Sequence, residues 1–479
     1  MKANRSTGLP ARIALVASVV TLLAACSSLL DVKDPDVINP PDVLNADGAV
    51  AAYNGGIGDF AFANDGDNGG TEGQILVSGV MSDEYFDSET FPTRIEYDSR
   101  AIDERNVTLN GVFFNLHKAR VALEGAAGAL QQYAPTPNSR IGEMLALAGM
   151  TYVYFAENYC PAVPFSERQP DGSIQYGQPL ATNAILDRAI SRFDSAVTVT
   201  ATQSSSADSV ARLRVRNLAA VGKGRALLDK ADFAGAAAAV AAVSADFSYS
   251  TFHSLSSDRQ RNGVFVFNNQ TPNGTGRFSV SDGEGTNGLN FRGAADPRVV
   301  APQNGKGFDN ASPLYVLQKY AAATSPVRVA DGIEARLITA EAQLQGGNGA
   351  GMVASLTALR ADAANNGGFN LAALADPGTP AGQADLLFRE RAFWLFATGH
   401  RLGRLTTHSA VLRLSNQQSR PSDSGGAPRA LQHRVARSTP HLGGWRRAEG
   451  LHGVGRHARV GYARHRGTDR GRRDHLLRH

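Results

Sequence analysis

The stretch RNLAAVGKGRALLDKADFAGAAAAVAAV, residues 216–243, leaves few options for its own conformation. Leu218, Gly222 and Ala226 recur at helical spacing, and so do Phe233, Ala236, Val240 and Val243. Lys230–Asp232 between them has room only for a tight turn. Two antiparallel helices follow from this. Small residues on the first let the backbones approach closely, and Phe233 fills the gap beyond the turn. Gly222 falls where the two helices approach, so Leu there would overpack the contact, and Ala would gain helix propensity only if there is room for one methyl. A lone hairpin of this kind cannot bury its apolar face, so it needs neighbours of the same type.

The neighbours are present. Val112, Leu116, Ala119, Leu123 and Ala126 mark one helical face, and Ile141, Met144, Leu145, Ala148, Tyr152 and Phe155 mark another beyond QQYAPTPNSR. Thr182 stands as an N-cap before Leu186, Ala189, Phe193 and Val197. Ile333, Leu337, Ala340 and Leu344 pair with Met352, Leu356 and Leu359 across GGNGAG, and a last helix is expected over 384–398. The fold class is mainly α: tetratricopeptide-like (TPR-like) helical hairpins stacked as a scaffold. Long irregular stretches interrupt it. Residues 31–110 are rich in Asp, Asn, Gly and Pro, and residues 248–330 hold strand-like runs such as GVFVFNNQ and GRFSVSD. Loops carried on a rigid frame are where ligand surfaces form.

The chain starts with Lys2, Arg5 and Arg12 and continues with the apolar run IALVASVVTLLAA, a secretory leader too short to span a bilayer. It ends at Leu23-Ala24-Ala25-Cys26, the pattern of a bacterial lipobox. Residues 1–25 are therefore expected to be removed as a lipoprotein signal peptide, with Cys26 acylated as the first mature residue. Acyl chains on one residue tie a globular body stably to a membrane. The other cysteine, Cys160, then has no disulfide partner.

Charge divides the chain near Arg404. Sixteen arginines against four acidic residues leave +12 over 404–479, so residues 1–403 carry −8 of the overall +4. Eight of the eleven histidines also fall in that final stretch, so the basic character belongs to the tail and the body is acidic. The arginines keep no helical register and have few aromatics among them, which argues against a nucleic-acid surface.

Catalytic signatures fail one by one. GEGTNG, Gly283–Gly288, spells a dinucleotide fingerprint but leads into LNFRGAADPR rather than a helix. VGKGRA around Lys223 lies inside a helix pattern and lacks the phosphate-loop Ser or Thr. DGDNGG, from Asp65, opens like a calcium loop but has Leu76 where the bidentate Glu belongs. His117, His253 and His400 stand singly, without metal-ligand spacing. Asp83–Glu84 is one acid pair among many. The chain does not read as an enzyme, and no cofactor or metal is implied.

Several segments in fixed order carry a family resemblance. They are the lipobox, LDVKDPDVINP (30–40), GVMSDEYFD (79–87), the hairpin at 216–243, SVSDGEGTNGLNF (279–291), DPRV (296–299), EARLITAEAQL (334–344) and LLFRERAFWLFATGHRLG (386–403). Together they resemble the SusD/RagB family of outer-membrane nutrient-binding lipoproteins, over residues 26–403. The resemblance implies an all-α body of four TPR-like hairpins with irregular ligand-binding loops. It also implies a lipid-anchored, surface-exposed place on the outer membrane, as lid of a SusC-like TonB-dependent β-barrel transporter to which oligosaccharides are delivered. Peptides and other polymers remain open as ligands, and a lipid-anchored hydrolase or a TPR-like assembly scaffold remains the alternative.

Sugar rings stack on aromatic faces. The loop DEYFDSETFPTRIEYD offers Tyr85, Phe86, Phe91 and Tyr97 for this purpose, although the same rings could simply pack the loop onto the helices. Trp394, with Phe393 and Phe396 in the terminal helix, reads as core. The resemblance stops at Gly403. Residues 404–479 have the Arg/His/Gly/Ala/Pro/Ser mix of a shifted reading frame in a GC-rich gene, and such a tail is expected to be disordered. It would leave the Phe393/Trp394/Phe396 face uncovered.

Overall fold

The computed structural model describes residues 44–159, 161–169, 173–202, 205–270, 274–284 and 288–405. Cys26, Cys160 and the tail beyond Leu405 lie outside the described residues, as do positions 285–287 of the glycine-rich turn.

Helices dominate. In chain order the first are α1 (Ala46–Asp65), α2 (Gln74–Met81), α3 (Pro92–Asp98), α4 (Val107–Tyr133) and α5 (Asn138–Asn158). Next come α6 (Thr182–Ala201), α7 (Ser209–Asp229), α8 (Phe233–Val240) and α9 (Gly263–Asn268). The last three are α10 (Gly332–Gln345), α11 (Gly349–Ala361) and α12 (Pro380–Trp394). They form a continuous stack in which α1 packs on α4, α4 on α5, α5 on α6, α6 on α7 and α7 on α8. From there α8 packs on α10, α10 on α11 and α11 on α12. The mainly helical, hairpin-built architecture read from the spacing is the one observed.

The hairpin at 216–243 shows how the sequence sets its geometry. Ala231 takes a left-handed φ of 59° at the turn, and the Asp232 side chain accepts from Gly235 N at 2.9 Å, capping α8. Leu218, Ala226, Ala236 and Val240 are all buried in one core with Phe193. Other starts are capped the same way: Asn45, Asn106, Asp331, Asn348 and Thr379 each accept a backbone N–H three residues on. Thr182 is instead the first helical residue of α6, after Ala181, and caps nothing.

Three expectations need correction. GVFVFNNQ is not a strand: Gly263–Asn268 is the buried helix α9, started by the Asn262 side chain accepting from Phe265 N at 3.0 Å. A short continuous apolar run has no periodicity to tell helix from strand, so the cap decides it. The region 44–110 is largely helical despite its Gly, Asp and Asn content. Packing of α1 against α4 and α5 overrides weak propensity there, with Gly56 set against Met144 and Leu123. The terminal helix stops at Trp394, four residues early, because Ala397 and Gly399 take left-handed φ values.

Strands are short and make only two-stranded ribbons. β1 (Tyr85–Asp87) pairs antiparallel with β7 (Phe278–Val280), placing Phe86 opposite Ser279. Pairs β2 (Val163–Pro164) with β5 (Pro179–Leu180), and β3 (Glu167–Arg168) with β4 (Ile174–Gln175), close the loop between α5 and α6. β6 (Ser248–Thr251) pairs with β10 (Val327–Asp331). β8 (Gln303–Lys306) and β9 (Pro313–Tyr315) form a ribbon whose tip carries Phe308. The β1–β7 pair and the β8–β9 ribbon sit on a second apolar core that holds Tyr85, Tyr97, Phe267, Phe278, Phe291, Phe393 and Phe396, whereas Val163 of β2 and Tyr249 of β6 belong to the first.

The terminal aromatics are covered. Phe396 meets Tyr85 and Phe291, Phe393 meets Phe291, and Trp394 meets Phe369 beneath the Arg298 guanidinium. The expected bare patch therefore does not form, because the loop layer supplies its cover. Arg404 also belongs to the body, bonding Asp229 at 2.6 Å and pairing with buried Glu341. No helix among the described residues is long and apolar enough to cross a membrane.

Candidate functional site

The four loop aromatics separate into two groups. Tyr85 and Tyr97 have no exposed surface, so neither offers a face to a ligand. Tyr85 packs on Phe396, and Tyr97 packs on Phe278 while its hydroxyl donates to Glu72 at 2.9 Å. For these two the packing alternative holds. Phe86 is half-buried, on the strand next to Asp87. Phe91 is different, with 48% of it exposed.

Phe91 has a partner that the sequence did not single out. Phe308, 40% exposed, stacks on it with ring centroids 6.5 Å apart and planes 26° from parallel. Arg277 binds the pair together: its guanidinium carbon lies 3.9 Å from the Phe308 centroid and 5.1 Å from that of Phe91. Arg94 lies 5.0 Å from the Phe91 centroid. Cations over ring faces are favourable, and they fix the plane of each ring.

Three chain segments build this platform, and backbone bonds hold them together. Ser88 N donates to Arg277 O at 3.0 Å, Phe308 N to Gly276 O at 2.9 Å, and Asp309 N to Ser88 O at 3.1 Å. The Ser88 hydroxyl donates to Gly276 O as well. Beneath the rings Glu89, nearly buried, accepts from Arg94 at 3.1 Å and pairs with Arg277, while Arg94 also pairs with Glu72. Burial alone would raise the Glu89 pKa. The bonds from Arg277 and Thr90 N–H outweigh it and hold the carboxyl below the usual range. At the edge of the platform Asp87 is pushed up to about 7, first by burial and then by Asp98, Glu89 and Asp309.

The result is a pair of half-exposed aromatic rings, their planes fixed by the guanidinium groups of Arg277 and Arg94, with Asp87 at the rim. It suits a flat, partly apolar ligand with hydroxyls. The acid pair Asp83–Glu84 is out of reach of any substrate. Asp83 pairs with Arg100, and Glu84 accepts from Ala397 N at 3.3 Å in the core. Burial pushes Glu84 up to about 7.

The remaining motifs are structural. Asp65 binds the Thr251 hydroxyl and lies 3.2 Å from His253; Asp67 accepts from Gly70 N and Thr71 N; Leu76 is core. His117 sits among Phe113, Phe155 and Phe165, its pKa pushed down to about 4 by burial and Arg120. His400 lies 3.1 Å from buried Glu334. Lys223 is inside α7, as its sequence setting implied.

Sequence reasoning missed Phe308 and Arg277 because they lie about two hundred residues from Phe91 along the chain. The available signal was a lone aromatic in the turn GKGFDNAS.

No family model matches the sequence, and no curated protein matches it at a significant level. Solved structures do match. A laminarin-binding SusD-like protein aligns with a TM-score of 0.57 at 14% identity, covering 79% of this chain and 95% of its own. A SusD-like carbohydrate-binding protein from Bacteroides fragilis aligns with a TM-score of 0.56 at 15% identity, covering 78% and 88%. A SusD superfamily protein from Bacteroides vulgatus gives 0.55 at 13% identity, covering 78% and 90%. At such identities the likeness is one of architecture, and it bears out the resemblance read from the ordered segments. Over 78% of its length this chain has the fold of the SusD superfamily.

Proposed function

We propose that the protein is a non-catalytic glycan-binding lipoprotein of the outer-membrane surface, gripping its ligand on the Phe91–Phe308 platform. The observation that carries this reading is the platform itself: two exposed rings, stacked and fixed by Arg277, on a SusD-like frame. Pyranose rings present C–H faces to aromatic planes, and the guanidinium and carboxylate rim matches their hydroxyls. In this reading Cys26 carries the lipid, and the body passes its ligand to a SusC-like TonB-dependent β-barrel. The reading needs neither a cofactor nor a reacting carboxylate.

The test is calorimetric titration of the full chain with soluble glucans, laminarin first because a protein of this architecture binds it. Saturable binding that is lost in Phe91→Ala/Phe308→Ala is the expected result. Full affinity in that variant would remove the platform from the account. Glycan hydrolysis by the purified protein would turn it toward the hydrolase alternative. Detergent extraction that brings a large β-barrel with the anchored protein tests the delivery step.

A further inference from the structure

The β8–β9 ribbon has a second end. Beyond its base, between the flanking segments at Val300 and Gln318, β10, the loop after α11 and the end of α12, lies a cavity of about 340 Å³. Among the described residues its wall includes Arg298, Lys319, Arg328, Asn366, Phe369 and Trp394, and no carboxylate. The volume falls in the range typical of small-molecule sites.

The three cations differ in what they have to spare. Arg298 is saturated: it bonds Asp296 and Glu390 and stacks on the Trp394 ring at 4.6 Å. Arg328 gives Nη1 to Asp331 at 2.7 Å and keeps 40% of its side chain in solvent. Lys319 donates to Phe396 O at 2.7 Å and pairs with no carboxylate among the described residues. Burial and the neighbouring Arg328 push the Lys319 pKa down to about 7, so an anion entering the cavity would hold the proton on its amine. The Trp394 ring lines the cavity and so places a fluorophore at the site.

Arg328 with N–H donors to spare, the Lys319 amine beside it and a half-buried Phe369 ring complement one chemical group in particular. We propose that this cavity binds a small organic acid, its carboxylate paired with Lys319 and Arg328 and its body against Phe369. The site is separate from the platform and stands whether or not the platform binds glycans. The carboxylate is common to two kinds of acid, a hydroxylated one such as a uronic-acid sugar and an apolar one, and the body of the acid distinguishes them.

The experiment uses the full chain carrying Trp445→Phe, which leaves Trp394 as its sole indole. Trp394 emission is followed during titration with glucuronate, cyclohexanecarboxylate and glucose. A saturable change with at least one acid and none with glucose is expected. Lys319→Gln/Arg328→Gln should weaken it at least tenfold while the protein still melts cooperatively and binding at the platform is unchanged. Preference for glucuronate assigns a hydroxylated ligand, and preference for cyclohexanecarboxylate an apolar one. No saturable change with either acid, an equal response to glucose, or unchanged affinity in the double variant overturns the proposal.

Discussion

The Phe193 ring occupies the space where Gly222 would carry a side chain: its Cζ lies 2.4 Å from the Cβ position of Gly222. The same ring comes within 2.6 Å of the Cβ position of Gly149, so a phenylalanine of α6 is held between glycines of α5 and α7. The sequence placed Gly222 at the approach of the two hairpin helices and left open whether a methyl would fit there. The structure gives that contact to Gly224, whose Cβ position lies 2.7 Å from Val240 Cγ1 of α8. Gly222→Ala should therefore destabilise by about 1–3 kcal/mol despite its better helix propensity. Phe193→Leu should recover part of that loss in the double variant. Thermal melting of the two single variants and the double checks this; additive losses would mean the ring is not the obstacle.

Glu84 predicts a pH dependence. Its folded pKa is raised to about 7 by burial, above the ordinary glutamate value, so the folded state holds a proton that the unfolded chain releases. That contribution is complete below the unfolded pKa and is lost as pH rises through 7. Asp87 has the same sign. Between pH 5 and 8 the Glu84 share of the loss is roughly 2–4 kcal/mol. Glu84→Gln should lose correspondingly less, because an amide can still accept from Ala397 N–H. Denaturant titrations at pH 5 and pH 8 measure the difference; parallel losses in both proteins would show that Glu84 is ionised in the fold.

Arg277 links the platform to its foundation by touching both exposed rings and pairing with Glu89. Arg277→Met keeps much of the stem but removes the cation over Phe308 and one of the two arginines at Glu89. Glycan affinity should fall about tenfold or more, with a stability loss of about 1–3 kcal/mol. Calorimetry combined with a melt separates the two effects. Unchanged affinity would reduce Arg277 to a structural role.

Cys26→Ala should abolish acyl labelling and release the protein from the membrane fraction. Labelling and fractionation together decide it, and membrane retention of the variant would refute the lipobox reading.

A chain ending after Leu405 should be soluble and melt cooperatively. Phe393, Trp394 and Phe396 are covered by the loop layer, and Arg404 finds Asp229 and Glu341 within the body. Aggregation of the shortened chain would mean that residues beyond 405 contribute cover. Resequencing the gene near codon 404 tests the frame directly.

Helical faces were legible because burial imposes a period on them. Leu116, Leu123, Met144 and Phe155 all fall where the spacing put them. The loop layer was not legible for the opposite reason. Asn262 and Phe265 make a helix through a single cap, and α1 is helical through what it packs on. The site was half legible. Phe91 was visible as a loop aromatic, but nothing local distinguishes it from Tyr85 and Tyr97, which a neighbouring layer buries. Phe308 and Arg277 reach Phe91 only through tertiary contacts.

The platform is fastened through main-chain atoms of Ser88, Gly276, Arg277, Phe308 and Asp309, whereas the ligand would meet only side chains at 91, 277 and 308. Backbone bonds are indifferent to which side chain their residue carries. Selection can therefore exchange the gripping groups a codon at a time while inheriting the scaffold unchanged. A lineage meeting a new polymer needs neither a new fold nor a new loop, only a few substitutions at three distant places in one gene.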